Sequence, residues 1–437
     1  MRATKKIVLL TSTAIAASIV ASVASAGGFA LREQSAYYQG TSFAGNGTSS
    51  SSISSMFWNP ATITSMDGKI VFEAHNAFII PKSDITGSNT VPNSLTTPTG
   101  LITTSFDTGD IGHDAWIPAS YTSYNFNDKI YLGVGINGPF GLSTKPDDSN
   151  WTGAGYNRSS KIFSINLNPV VGYKINEMFS VAIGPQIQYA DVRLTNASAS
   201  PTIPGATLFP GQQLDGDGVG VGLTAGVTIK PTATTEIGIG YRSAIFTDID
   251  GTIAAPNPAN PFTTAVTDVK TVLATPDMVT LSAKQSITDN IRVLGTFEWT
   301  NWSRLKEPQI TADATGATVT TLPFNYNDGY FLALGGEYDF NDKLTFRAGA
   351  AYEWSPIDDQ IRSARLPDND RIWVSAGASY VFNEHFSFDL GYTHIFGTDT
   401  DLNLVPGHQD YSASKGSLTG SVDSSVDILT ASVRIKF

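Results

Sequence analysis

The sequence predicts an all-β fold, a 14-stranded antiparallel transmembrane β-barrel with an N-terminal hatch, or plug, inside its lumen. Three observations carry that expectation. Segments along the chain alternate strictly between apolar and polar residues, which is the period of a strand. Short turns alternate with long polar stretches, the asymmetry of an outer-membrane barrel with its short periplasmic turns and long extracellular loops. After residue 26 no apolar run approaches the ~18 residues a spanning helix requires. The composition agrees: of 437 residues only 15% are charged, while 40 are Gly, 16 Tyr and 23 Phe. At 41% hydrophobic and 11% aromatic, the chain has far more apolar surface to bury than a disordered protein has.

Several chemistries are excluded at this level. With no cysteine there are no disulfides, thiolate metal sites or cysteine nucleophiles. The five His are scattered, so no metal site is expected, and no cofactor motif is present. A net charge of -12 without a Lys/Arg cluster argues against a nucleic-acid partner.

Taken in order, residues 1–26 read as a signal peptide. Arg2, Lys5 and Lys6 form a basic start, Ile7 to Val23 an apolar stretch, and Ala24-Ser25-Ala26 a small-residue cleavage site. The mature chain would begin at Gly27, and losing three positive charges takes the formal charge from -12 to -15. Residues 27–67 do not alternate. They are small and polar, but Phe29, Tyr37, Phe43, Phe57 and Trp58 are too apolar for a solvated tail, so the segment is placed inside the barrel as a hatch.

Residues 68–437 form the barrel. A first strand is expected near Lys69–Ile80. Six segments then repeat one device: YNFNDKIYLGVG from Tyr124, YKINEMFSVAIG from Tyr173, KPTATTEIGIG from Lys230, QSITDNIRVLG from Gln285, YDFNDKLTFRAG from Tyr338 and YVFNEHFSFDLG from Tyr380. Each joins two strands through a short Asn/Asp/Glu/Thr turn. Between them lie the longer stretches 195–216, 251–268, 303–327 and 398–424, which read as extracellular loops. In the last strand, Val426–Phe437, Leu429, Ala431, Val433, Ile435 and Phe437 alternate with Thr430, Ser432, Arg434 and Lys436. Six turns join twelve strands, and the first and last make fourteen, an even count that puts both termini on the periplasmic side. A soluble sandwich would alternate as well, but with its polar face outward.

Two other functional classes fit the residues less well. A hydrolase needs a nucleophile ordered with an acid and one of His75, His113, His385, His394 or His408, and no known motif places one there. A water-filled porin would lack the segment 27–67.

Four motifs carry a resemblance: GGFAL from Gly27, the Ser/Gly-rich stretch ending in Trp58-Asn59-Pro60-Ala61-Thr62, Gly138-Pro139-Phe140-Gly141-Leu142, and Leu366-Pro367-Asp368-Asn369-Asp370-Arg371 before a strand. In this order, over residues 27–437, the chain resembles the FadL/TodX family of outer-membrane long-chain fatty acid and hydrophobic-compound transport proteins. The resemblance implies a monomer in the outer membrane of a Gram-negative bacterium, in contact with lipid and lipopolysaccharide and inserted by the barrel assembly machinery. It implies passive uptake of long-chain fatty acids, or alternatively of neutral aromatic or alkane hydrocarbons, without enzyme activity or cofactor.

Carried over by position, Phe29 resembles the family's ligand-touching hatch residue, and Asn59, Pro60 and Ala61 its hatch triplet, which reads equally as a Pro-fixed turn. Gly138, Pro139 and Phe140 fall at the family's inward kink in the third strand, where Pro removes a ladder donor and lateral release is expected; an ordinary strand end is the other reading. Ile203, Leu208 and Phe209 on one loop, and Ile253, Phe262 and Val266 on another, are candidates for a capture surface, or else pack loop on loop. Arg193, Arg304 and Lys306 are the candidate contacts for a cargo carboxylate. Asp191 stands where the family has a cation near the fifth strand. Arg292, Arg347 and Arg371 are expected in structural ion pairs.

Overall fold

The computed structural model describes residues 27–93, 100–198 and 210–437. Residues 1–26, where a signal peptide is expected, and residues Ile203, Leu208 and Phe209 lie outside the described residues. Fourteen antiparallel crossings form one closed sheet: Ile70–Asn93, Ala115–Asn125, Ile130–Asn137 with Gly141–Thr144, Ser159–Lys174, Phe179–Asn196, Gln212–Ile229, Thr235–Arg242 with Ile245–Asn257, Asn260–Thr275 with Met278–Ser286, Ile291–Thr300, Gly329–Asp339, Leu344–Trp354, Arg371–Val381, Phe386–Gly397 and Ser417–Lys436. The first pairs with the last from Val71 opposite Lys436 to Thr90 opposite Ser417, so no edge is left to face lipid.

The six tight turns fall where the repeated device places them. Each is built by one side chain accepting two backbone N–H groups. Asn127 accepts from Lys129 and Ile130, Asn176 from Met178 and Phe179, Asn341 from Lys343 and Leu344, and Asn383 from His385 and Phe386. Thr232 and Thr288 do the same in the other two turns. These are Asx- and ST-turns, in which a short polar side chain substitutes for a turn amide.

Burial along the strands decides between barrel and sandwich. Leu390 is 63% exposed beside Asp389 at 1%, and Leu429 is 52% exposed beside Thr430 at 5%. The apolar face looks outward and the polar face is buried, the inverse of a soluble sheet.

What buries the polar face is the chain's own N-terminus. Residues 27–65 are almost wholly buried and contain one turn of α-helix, Ala36–Gln39, and two 3₁₀ turns, Ile53–Phe57 and Pro60–Ser65. They are held mainly by inward carboxylates. Arg32 pairs with Glu298 at 2.6 Å and Glu353 at 3.2 Å, the Tyr37 hydroxyl donates to Glu337, Ser49 N–H to Glu236, and Ser52 and Ile53 to Glu73. Such buried charges are tolerable because each is hydrogen-bonded on several sides. Inward glycines let the two backbones touch: a Cβ at Gly240 would stand 1.7 Å from the Trp58 carbonyl oxygen, and one at Gly349 2.0 Å from that of Thr41. This accounts for part of the glycine content.

Three of the four long stretches are more ordered than loops. Residues 251–268 are the top of a hairpin, Ile245–Asn257 with Asn260–Thr275, rather than a loop. The stretch 303–327 contains the pair Gln309–Ala312 and Thr318–Thr321, and 398–424 contains Thr400–Leu404 paired to the top of the last crossing. Pro and Gly suggested loops, but ladder pairing beyond the membrane is the simplest way to satisfy the backbone of a long excursion.

Candidate functional site: an apolar cavity beside a break in the wall

The second and third crossings separate above the pair Ser120–Ile136, and the third is interrupted at Gly138-Pro139-Phe140. Pro139 has no N–H to give and Gly138 no side chain to hold a pleat, so the strand turns inward here. Its freed groups are met by the N-terminal segment. Leu31 N–H donates to the Pro139 carbonyl at 2.8 Å, Gly141 N–H to that of Phe29 at 2.9 Å, and the Gln34 amide to that of Gly138 at 2.8 Å. Ser164 on the fourth crossing accepts from Phe140 N–H and donates to Phe140 O. Irregular backbone at membrane depth is thus covered by protein.

Above the break lies a cavity of about 420 Å³, lined among others by Phe29, Leu142, Ile162, Ile249, Leu273 and Tyr326. The size and apolar walls suit a small hydrophobic ligand. Phe29 sits on its floor, wholly buried, in edge contact with Trp302 at 4.6 Å and Phe140 at 6.1 Å between ring centroids. Asp368 fixes the start of this segment by accepting from Gly28 N–H at 2.8 Å.

Wall strands contribute Ser160, Asn196, Gln213 and Asp215 to the cavity, and two long loops contribute Arg365, Asp410 and Lys415. Arg365 projects into it and is hydrogen-bonded only to neutral acceptors: Ser160 at 3.2 Å, the Thr195 carbonyl at 3.3 Å, Asn196 at 3.4 Å, and Asn157 and the Ser159 carbonyl at 3.5 Å. Burial pushes its pKa down to about 10, with Asp410 opposing. Lys415 also lines the cavity, its ammonium 5.1 Å from the Tyr156 ring centroid, and burial lowers its pKa too. Burial pushes the Asp410 carboxyl up to about 6 against the pull of Lys415 and Arg365. Among the described residues none of the three forms an ion pair.

The cations expected to meet a carboxylate are elsewhere. Arg193 is half exposed beside Asp215, and Arg304 pairs with Asp277 outside the cavity. Lys306 is exposed, and Asp191 shares the outward parity of Arg193. Arg292 and Arg347 are in ion pairs with Glu337, and Arg371 with Asp368. Ile253 lines the cavity, whereas Phe262 and Val266 are 69% and 65% exposed near the hairpin tip. Asn59 caps the 3₁₀ turn begun by Pro60, accepting from Ala61 N–H and donating to the carbonyls of Gly47 and Val227, so the triplet forms a turn docked on the sixth crossing. Arg365 went unread although it directly precedes the Leu366-Pro367-Asp368 motif; a loop has no parity to show which way a side chain points.

Known relatives and solved structures share the sequence and the fold. A long-chain fatty acid transport protein of Escherichia coli O6:H1 is 28% identical over 91% of this chain and 93% of its own. Outer membrane protein P1 of Haemophilus influenzae is 28% identical over 90% and 91%. In fold, a Pseudomonas aeruginosa FadL homologue superposes with a TM-score of 0.82 at 24% identity, covering 94% of this chain and all of that one. The Pseudomonas putida toluene transporter TodX gives 0.67 at 15% identity over 94% of this chain and 100% of its own. The family model for outer membrane protein transport proteins, OMPP1/FadL/TodX, matches residues 17–437, and the chain belongs to that family.

Proposed function

We propose that the protein takes up long-chain fatty acids, or similar amphiphilic hydrophobic molecules, passively across the outer membrane and releases them sideways into the bilayer. The observation that carries this reading is an apolar cavity closed below by the chain's own N-terminal segment and flanked by a break in the wall. An apolar cargo released downward into water would lose about 0.8 kcal/mol per CH₂ re-exposed, whereas lateral release keeps it in apolar surroundings. Residues 1–26 act as the export leader, 27–67 as the hatch and 68–437 as the barrel. The single chain closes its own sheet, which supports a monomer in contact with lipid and lipopolysaccharide after insertion by the barrel assembly machinery. The cargo is transported and not chemically altered.

Neutral hydrocarbons are the second reading, and the apolar lining suits them equally. Arg365, which faces the cavity with only neutral hydrogen-bond acceptors, favours an acid, because a buried guanidinium gains most from an anionic partner. The lateral route is tested at Gly138, where a Cβ would meet only the Ser164 carbonyl oxygen at 3.1 Å. A Gly138→Trp variant should reach the surface and bind fatty acid while uptake of labelled acid into cells falls sharply. Undiminished uptake in a folded variant overturns the route.

A further inference from the structure

Beneath the cavity floor the inward positions change from aliphatic residues to amides. Asn137, Asn166 and Gln188 stand directly opposite one another on the third, fourth and fifth crossings, and the row continues across Gly220 to Thr247. All four polar residues are buried, at 3% exposure or less. Asn166 Nδ2, Gln188 Oε1 and Thr247 Oγ1 nevertheless have no hydrogen-bond partner, and neither amide atom of Asn137 has a well-formed one, the Tyr121 hydroxyl lying nearby. Unsatisfied buried polar atoms are rare because each forfeits the hydrogen bonds it would make to water. Several in one register row describe a lining that a polar group enters.

Arg242, at the end of its strand in the seventh crossing, supplies the charge. Its guanidinium stacks on the Phe57 ring at 4.2 Å, donates to the Phe57 carbonyl at 3.0 Å and reaches Asn166 Oδ1 at 3.5 Å. Arg32, Arg347 and Arg434 each hold a buried carboxylate, but among the described residues Arg242 holds none. A buried guanidinium with neutral partners alone gains strongly from an anion that comes within reach. At the other end of the row, Asn137 immediately precedes Gly138 and the break.

We infer that Arg242 and the row Asn137, Asn166, Gln188 and Thr247 form a second anion site, which takes the carboxylate of an amphiphilic cargo between the cavity and the wall break. The inference rests on the proposed uptake role and adds a head-group path to it. An ionised carboxylate leaving Arg365 is costly in an apolar cavity unless another donor receives it. The polar row provides amide donors and one cation along a line that ends at the break. Neutral cargo has no use for this path, so the site discriminates acids from hydrocarbons during transit.

Purified protein crystallised with 2-bromohexadecanoic acid, whose bromine marks the head group, should show anomalous density at Arg242 as well as at Arg365. A bromoalkane of equal length should show none at Arg242. In cells, Arg242→Gln, which retains an amide donor for the Phe57 carbonyl, should lower uptake of hexadecanoic acid by about tenfold, the scale of one lost charge-assisted hydrogen bond. Hexadecane uptake should stay level, and Arg242→Lys should recover acid uptake in part. Bromine confined to the upper cavity, or equal loss of acid and hydrocarbon uptake in a folded Arg242→Gln barrel, overturns the site. Should Arg242→Gln fail to fold, the bromine map of the unaltered protein decides alone. Failure of the unaltered protein to take up either cargo would overturn the uptake reading instead, with the map still deciding whether Arg242 binds a carboxylate.

Discussion

Ala30 and Phe140 form an antiparallel β-bridge, flanked by hydrogen bonds from Leu31 to Pro139 and from Gly141 to Phe29. The N-terminal segment is therefore a strand partner for the broken third crossing as well as a filling for the lumen. Withdrawal of Phe29–Leu31 would strip partners from the kinked backbone and take the Phe29 ring from the cavity floor. The N-terminal segment and the wall break are in this way hydrogen-bonded to each other.

Removing that segment should open the lumen. Deleting Gly28 to Ser55 takes Arg32 from Glu298 and Glu353, Ser49 from Glu236, and Ser52 and Ile53 from Glu73, so the barrel should lose thermal stability, measured by heat-dependent gel mobility. Single-channel conductance should rise, and hydrophilic solutes should enter liposomes carrying the variant. A folded variant that conducts no more than the parent would show that the segment does not occlude.

Arg365 should set the preference for acids. Arg365→Gln removes the cation while keeping a hydrogen-bonding head, and should weaken fatty-acid binding by about 10- to 100-fold, the worth of a charged hydrogen bond. Binding of an alkane of the same length, compared by displacement of a fluorescent probe, should change little. Equal loss for both ligands would assign Arg365 to loop structure.

Binding should also depend on pH through Asp410. Its carboxyl, raised to about 6 by burial, is ionised above that value and competes with cargo for Arg365 and Lys415; below it, the neutral acid leaves both cations free. Affinity for a fatty acid should therefore rise as pH falls from about 7.5 to about 5.5, a range in which Arg365, lowered only to about 10, keeps its charge. Asp410→Asn should bind tightly throughout and lose the dependence. A parent whose affinity is flat over this range would contradict the assignment.

The orientation can be checked with single cysteines. Ala259 lies at the exposed hairpin tip and Asp342 in a tight turn at the opposite end. An impermeant thiol reagent on intact cells should label Ala259→Cys and leave Asp342→Cys untouched; the reverse result would invert the barrel.

Much of the wall was legible because a strand's period of two is a local property. The six Asn- or Thr-built turns and the separation of apolar from polar residues onto two faces follow from residues a few positions apart, and the even strand count from adding those turns up. Parity also carried information about Arg193, since it falls in step with Ile183, Ile187 and Tyr189, all outward and exposed. Parity was lost where chain left the membrane, so the ladder of 251–268 and the direction of Arg304 and Lys306 were not visible locally.

The sequence by itself determined an alternating barrel wall and its turns, and marked Gly138-Pro139 as either a break in the third crossing or an ordinary strand end. Only the tertiary structure decided what meets at that break. Phe29, Leu142, Ile249, Arg365, Asp410 and Lys415 share one cavity, yet they come from the N-terminal segment, the wall and two separate loops. Alternation fixes which side of the sheet a residue faces, but not its angular position around the barrel or the direction of a loop. Those are set by closure of the whole sheet around the N-terminal segment, a long-range condition that no local pattern encodes.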